Sequence, residues 1–218
     1  MRISKKPEER RNEILDAAEM LFTTKGYSKT TVNDILHMVG IAKGTFYYYF
    51  QSKEEVMDAI VMRFIDFGVE AAKAVAAHPE LSAHDKIFQI MMAQQPDAGR
   101  KELMIEQLHQ VNNAEMHQKS LIETILQLTP VLTEIIEQGI AEGVFDTPYP
   151  KETVEILLVS SQFIFDEGIF QWQPDELMTK AIAFTSMMEK MLGAEKGSFD
   201  YMIGKFGRSL KNGNSNEN

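Results

Sequence analysis

The segment Ile41-Ala42-Lys43-Gly44-Thr45-Phe46-Tyr47-Tyr48-Tyr49-Phe50 holds an unusual concentration of chemically capable side chains. Lysine, threonine and tyrosine donate hydrogen bonds to phosphate oxygens, and a tyrosine ring can lie against a thymine methyl group. Phe46 and Phe50 stand four apart, so on a helix they share one face and turn together to a core. Lys43, Thr45, Tyr47, Tyr48 and Tyr49 are then spread over the other sides. Two buried aromatics are enough to hold so short a helix, and three consecutive tyrosines exceed what its stability needs. Gly44 costs a helix interior about 1 kcal/mol relative to alanine. Near the helix start it lets a partner approach the backbone closely, where free amides favour a phosphate.

Other chemistries find less support. The chain has no cysteine, which excludes disulfides, thiolate metal sites and cysteine nucleophiles. Glu106 and His109 are three apart on one helix face, but no second pair has matching spacing, so no metal site is expected. There is no serine-centred glycine elbow and no phosphate loop. The paired acids Glu54-Glu55 and Asp166-Glu167 read as a helix cap and a solvated flank. Neither an enzyme nor a bound cofactor is expected.

Charge sharpens the first reading. The 218 residues carry a formal net charge of −10, which taken whole argues against nucleic acid. The charge is segregated, however. Residues 1–53 hold nine Lys/Arg against six Asp/Glu, a net of +3, which leaves −13 for the rest. A basic first quarter on an acidic body would present only the former to a duplex. No apolar run reaches the ~20 residues of a membrane span. Glu8 and Glu9 follow the basic start where a signal peptide would place its apolar stretch, so a cytoplasmic location without membrane contact is expected.

The elements that must position these residues all read as helix. Ile14, Leu15, Ala18, Leu21 and Phe22 form an apolar stripe on a helix from Pro7 to Lys25, stopped by Gly26. Thr31 caps a second helix, with Asp34 in its first turn and Val32, Ile35, Leu36 and Val39 on its core face. Gly40-Ile41 turns into a third helix over Ala42–Phe50, making a helix-turn-helix candidate. Ser52 and Glu55 form a capping box for a long fourth helix to about Ala77, with Val56, Ile60, Phe64 and Phe67 on its buried side. Further helices are expected over Ser82–Gln94, Gly99–Gln110, Ala114–Glu142, Lys151–Trp172, Asp175–Leu192 and Ser198–Leu210. Pro130 predicts a kink or break, because it clashes with the Leu126 carbonyl. The fold class is thus all-α: a three-helix N-terminal domain plus a larger helical C-terminal domain, about nine or ten helices in all. The expected divisions are 1–53, 54–210 and a disordered tail 211–218.

The stretch from Arg10 to Asp58 resembles the DNA-binding domain of the TetR (tetracycline-repressor) family. The resemblance rests on Ile14-Leu15-Asp16-Ala17-Ala18, Leu21-Phe22, Gly26-Tyr27, Thr30-Thr31-Val32, Asp34-Ile35, Val39-Gly40, Lys43 to Phe50 and Ser52-Lys53-Glu54. It covers about a quarter of the chain, in order and spacing. It implies a homodimeric, all-helical repressor that lays the third helix in the major groove of a double-stranded DNA operator. Lys43, Gly44, Thr45, Tyr47, Tyr48 and Tyr49 would meet DNA, Tyr49 standing where many members have histidine. Thr31 and Lys53 would reach phosphates beside the groove. Val32 stands where some members carry a hydroxyl. The basic arm (Arg2, Lys5, Lys6, Arg10 and Arg11) could add phosphate contacts.

The acidic C-terminal region would bind an effector and dimerise. Its fourteen-methionine chain and its phenylalanines suit a plastic apolar pocket. The candidate lining is Phe64, Phe67, Phe88, Met91, Met92, Met104, Leu108 and Phe165, with His109, His117, Gln118, Gln162 and Asp166 as the few polar groups such a pocket needs. Net acidity favours a largely apolar, neutral or cationic small molecule. In the resemblance, the last two long helices pair across a twofold axis. The candidate interface is Leu157, Leu158, Ser161, Phe165, Gly168 and Ile169 with Ala181, Phe184, Thr185 and Met188. The alternative is a DNA-binding dimer without an effector, controlled by a protein partner or acting architecturally.

Overall fold

In the computed structural model, which describes residues 6–93 and 114–204, helix follows helix and no strand occurs among the described residues. The elements are α1 (Pro7–Lys25), α2 (Val32–Val39), α3 (Lys43–Tyr49), α4 (Lys53–Ala76), α5 (Ala83–Ala93), α6 (Ala114–Ala141), α7 (Pro150–Ile164) and α8 (Pro174–Leu192). Residues 200–204 begin another helical stretch. The helix expected over Gly99–Gln110 and the tail 211–218 lie outside the described residues.

Local chemistry explains the boundaries around the basic segment. Thr31 caps α2: the Asp34 amide donates to Thr31 Oγ1 (3.2 Å), and the Thr31 amide donates back to Asp34 Oδ2 (2.8 Å). These bonds satisfy two of the orphan donors at a helix start. Gly40 ends α2 with φ +71°, a left-handed conformation that a side chain would strain. The turn therefore stays tight enough to place α3 directly against α2. At the start of α4, Ser52 Oγ accepts from the Glu55 amide (3.1 Å), while the Glu55 carboxylate accepts from the Gln51 amide.

The chain forms two compact units that share α4 and α6. The first contains residues 6–68 and 114–120. Its core is Ile14, Leu15, Ala18, Phe22, Tyr27, Ile35, Phe46, Phe50, Val56, Met57, Ile60 and Val61, joined by Met116 of α6. Each of the large side chains contributes about 1.5–3 kcal/mol by leaving water. An ionic clamp adds to this core: Arg63 of α4 donates to Asp16 (2.8 Å) and to the buried Glu19 (2.6 Å) of α1. Lys119 of α6 pairs with Asp58 of α4 (3.0 Å).

The second unit contains residues 69–93 and 121–204. Buried Lys86 ties its helices together, donating to the Ala76 carbonyl (2.6 Å) and to Gln138 Oε1 (2.7 Å). Gln138 in turn donates to the Leu81 carbonyl (2.9 Å), and Glu142 accepts from the Ala83 amide (3.0 Å). The buried Glu189 carboxylate accepts from the Gly197 and Phe199 amides.

Three sequence expectations need correction. α6 runs through Pro130 without a break, which removes one of the two outcomes expected there, a kink being the other. The proline and Leu126, four residues back, both lie on an exposed face, so water can reach the carbonyl that lost its partner. α7 stops at Ile164 rather than Trp172. Asp166 Oδ1 accepts from the Gly168 and Ile169 amides, which favours a turn over helix. The Trp172 indole folds back to donate to the Ile164 carbonyl (2.8 Å), satisfying the helix end. Phe67 is 77% exposed rather than buried. The buried stripe of α4 drifts around the helix, and Val69 and Ala72 continue it in place of Phe67.

Candidate nucleic-acid interface

α3 is a short helix gripped from one side. Phe46 and Phe50 are fully buried, and Tyr49 packs beside them, partly buried, at the i+3 position of the same face. The opposite side is open. Tyr48 is 76% exposed and Tyr47 38%. Lys43 and Gly44 are exposed and Thr45 is half-buried. The Lys43 ammonium lies 5.7 Å from the centroid of the Tyr47 ring, a cation held over an aromatic face. A Cβ built on Gly44 would meet nothing within 4 Å, so no neighbour among the described residues requires glycine there.

The supporting residues are more occupied than their sequence suggests. Lys53 donates to the Tyr27 carbonyl (2.8 Å) and the Thr30 carbonyl (3.0 Å), and its ammonium sits 4.1 Å from the Tyr27 ring centroid. Partial burial lowers the Lys53 pKa, with the Glu54 charge opposing. Lys53 therefore braces the α1–α2 connection, a role that spacing alone did not reveal. Thr31 donates its hydroxyl to Asp34 (2.8 Å) within the capping box. Asp34 also meets Lys25 at 2.6 Å. That lysine, followed by the Thr31 bonds, holds the Asp34 carboxyl well below the usual carboxylate range. Tyr27 donates to Glu54 (3.3 Å), and burial, then the Glu54 charge, pushes its phenol well above its ordinary value. Arg11 reaches the Phe50 ring, 5.1 Å from its centroid.

The effector candidates are dispersed over the two units. In the first, Phe64 is partly buried against the core, Phe67 is exposed, His117 is half-buried and Gln118 is exposed. In the second, Met91, Met92, Gln162, Phe165 and Asp166 are half-buried, and Phe88 is exposed with its ring edge-on to Tyr201 at 5.1 Å. Met104, Leu108 and His109 lie outside the described residues.

The candidate interface residues of α7 and α8 differ in burial within the chain. Ala181, Thr185 and Met188 are buried within the chain. Leu157, Leu158, Ser161, Phe165 and Phe184 are half-buried, while Gly168 and Ile169 are exposed. The exposed large apolar side chains here include Ile156, Val159 and Phe163 on α7, Ile169 beyond it, and Ile182 and Met187 on α8. Both helices are apolar around more than one side, and the unit's own core claims the Val154 and Ala181 side. No group of acidic or histidine residues among the described residues could hold a metal ion. No described helix is long and apolar enough to cross a membrane.

A buried-aromatic helix that presents lysine and tyrosine beyond a glycine turn defines a helix-turn-helix DNA-binding protein. Comparison with known proteins agrees. The family model for bacterial regulatory proteins, tetR family, matches residues 14–60. The model for the tetracyclin repressor-like C-terminal domain matches residues 99–187. The HTH-type transcriptional regulator YhgD of Bacillus subtilis (strain 168) is 28% identical over 169 residues, covering 76% of this chain and 85% of that protein. The HTH-type transcriptional repressor KstR2 of Mycolicibacterium smegmatis is 26% identical over 142 residues, 64% of this chain and 69% of that one. Salmonella enterica GusR shares the fold with a TM-score of 0.60 at 20% identity, over 87% of this chain and 98% of GusR.

The chain belongs to the TetR family of transcriptional regulators, a DNA-binding family without enzymatic activity.

Proposed function

We propose that the protein is a homodimeric, ligand-responsive repressor that reads a palindromic operator in the cytoplasm. The observation that carries the DNA-binding part is α3, where Lys43, Tyr47 and Tyr48 stand open above buried Phe46 and Phe50. The KstR2 relatives, named as repressors, support the direction of regulation. One short helix reaches too few base pairs for useful specificity, so two copies are needed. The exposed Ile156, Val159, Phe163, Ile182 and Met187 supply apolar surface on α7 and α8 for that pairing. In the dimer the two α3 helices sit about 34–36 Å apart, or a related spacing, on successive major grooves. The proposed division of labour is 1–53 for DNA and 54–210 for effector and dimer.

An apolar, neutral or cationic small molecule is the effector best suited to the acidic, Met-rich C-terminal region. It releases DNA only as far as it prefers the non-binding state, with coupling of about 1–3 kcal/mol. α4 is the natural transmitter, because Arg63 fastens it to α1 of the DNA-binding head. Selection of tight binders from a random duplex pool tests this reading. The expected result is an inverted-repeat consensus occupied by an even number of chains. A single unrepeated site bound by one chain would contradict it.

A further inference from the structure

The three tyrosines of α3 are unequal, and their ring contacts divide them into presented and supporting members. Tyr47 stands edge-on to buried Phe46, with centroids 5.4 Å apart and ring planes at 82°. Tyr48 stands edge-on to Tyr49, with centroids 4.9 Å apart and planes at 89°. Each exposed ring thus leans on a core-facing one. The Tyr48–Tyr49 pair is the more telling, because Tyr48 is the most exposed tyrosine of the helix and Tyr49 is the ring it meets. A free tyrosine ring samples several rotamers, and immobilising a side chain on binding opposes affinity. An edge-to-face neighbour removes part of that freedom beforehand.

We infer that Tyr49 is a positioning residue: packed on the Phe46–Phe50 face, it holds the Tyr48 ring ready for a base edge and makes no DNA contact of its own. This rests on the reading of α3 as the helix that meets DNA. It departs from the expectation that all three tyrosines touch the duplex. The base feature that suits an ordered, largely exposed phenol ring is a thymine methyl group, which offers apolar contact in the major groove.

The test uses the full chain and the tightest duplex recovered from the random pool. Tyr49→Phe keeps the ring and removes the hydroxyl. Its affinity and its salt slope should match those of the parent. Tyr49→Leu keeps an apolar side chain on the core but removes the edge-to-face partner, and should bind roughly tenfold more weakly per half-site. Tyr48→Ala combined with Tyr49→Leu should bind no worse than Tyr48→Ala alone, since the buttress has nothing left to hold. Replacing single thymines by deoxyuridine should weaken the parent at one position per half-site and leave Tyr48→Ala unaffected there. A loss with Tyr49→Phe, or full additivity of the two substitutions, would overturn the proposal. Parent-like binding by Tyr48→Ala would overturn the underlying reading of α3 as well, so the two failures are distinguishable. Tyr49→Phe retains the packing of the fold, which keeps the test decisive if the leucine variant proves unstable.

Discussion

Gly44→Ala should make the protein more stable and its DNA binding worse. Gly44 is the second residue of α3, its backbone is not in the left-handed region, and an added Cβ meets nothing within 4 Å. Alanine therefore brings its helix preference, and the narrower unfolded ensemble, without a clash. The gain is about 0.5–1 kcal/mol, with the lower end more apt so near a helix terminus. For a chain of this size that raises the melting temperature by about 1–4 °C. In the proposed complex the same methyl group would fill the space through which the α3 backbone approaches the duplex. Forcing one methyl into a close-packed contact costs about 1–3 kcal/mol, or roughly 5–150-fold in affinity per half-site. Thermal melting of the free protein and fluorescence anisotropy with the selected duplex measure the two effects separately. Unchanged DNA affinity would refute the close approach. A lowered melting temperature would refute the claim that no neighbour among the described residues requires glycine at this position.

Lys53→Met should act mainly through folding, because it removes two hydrogen bonds to the Tyr27 and Thr30 carbonyls. About 1–2 kcal/mol of stability should go, after allowing for partial exposure, visible as a lower denaturation midpoint. Asp34→Asn should lower the melting temperature at neutral pH, because the Lys25 pair is lost. The folded Asp34 carboxyl titrates below its unfolded value of about 3.9, so its contribution is complete above that pH and fades as pH falls below it. The gap between parent and variant, followed by melting at a series of pH values, should therefore close below about pH 4. Met187→Glu, alone or with Ile182→Glu, should shift the protein to monomer in sedimentation velocity while its far-UV circular dichroism stays unchanged. A persistent dimer would move the interface away from the exposed α7–α8 surface.

Much of the DNA-binding head was legible because its signals are local. Thr31 with Asp34, Ser52 with Glu55, and the glycines that end α1 and α2 mark boundaries through signals confined to three or four residues. Phe46 and Phe50 announce their face by spacing alone. What escaped was decided at a distance. α7 keeps its apolar rhythm through Phe165, and only the return of the Trp172 indole and the Asp166 turn explains the stop at Ile164. On α8, Ala181 and Ile182 are both apolar neighbours, and which one faces inward depends on helices remote in sequence. Lys53 reads as one more cation for phosphates, and its bonds to carbonyls more than twenty residues away leave no local signal. Lys86 carries no sequence signal of burial, because its acceptors come from the end of α4 and from Gln138.

In the proposed function, α3 reads DNA through the face opposite Phe46 and Phe50. This role is tested most directly by the affinity of Tyr48→Ala for the selected duplex at fixed salt. Tyr48 is 76% exposed, so its truncation leaves the fold intact. Tyr48→Ala should lose at least tenfold in affinity with unchanged melting temperature and oligomeric state. Parent-like affinity would contradict that role and send the search for the reading surface to another part of the head.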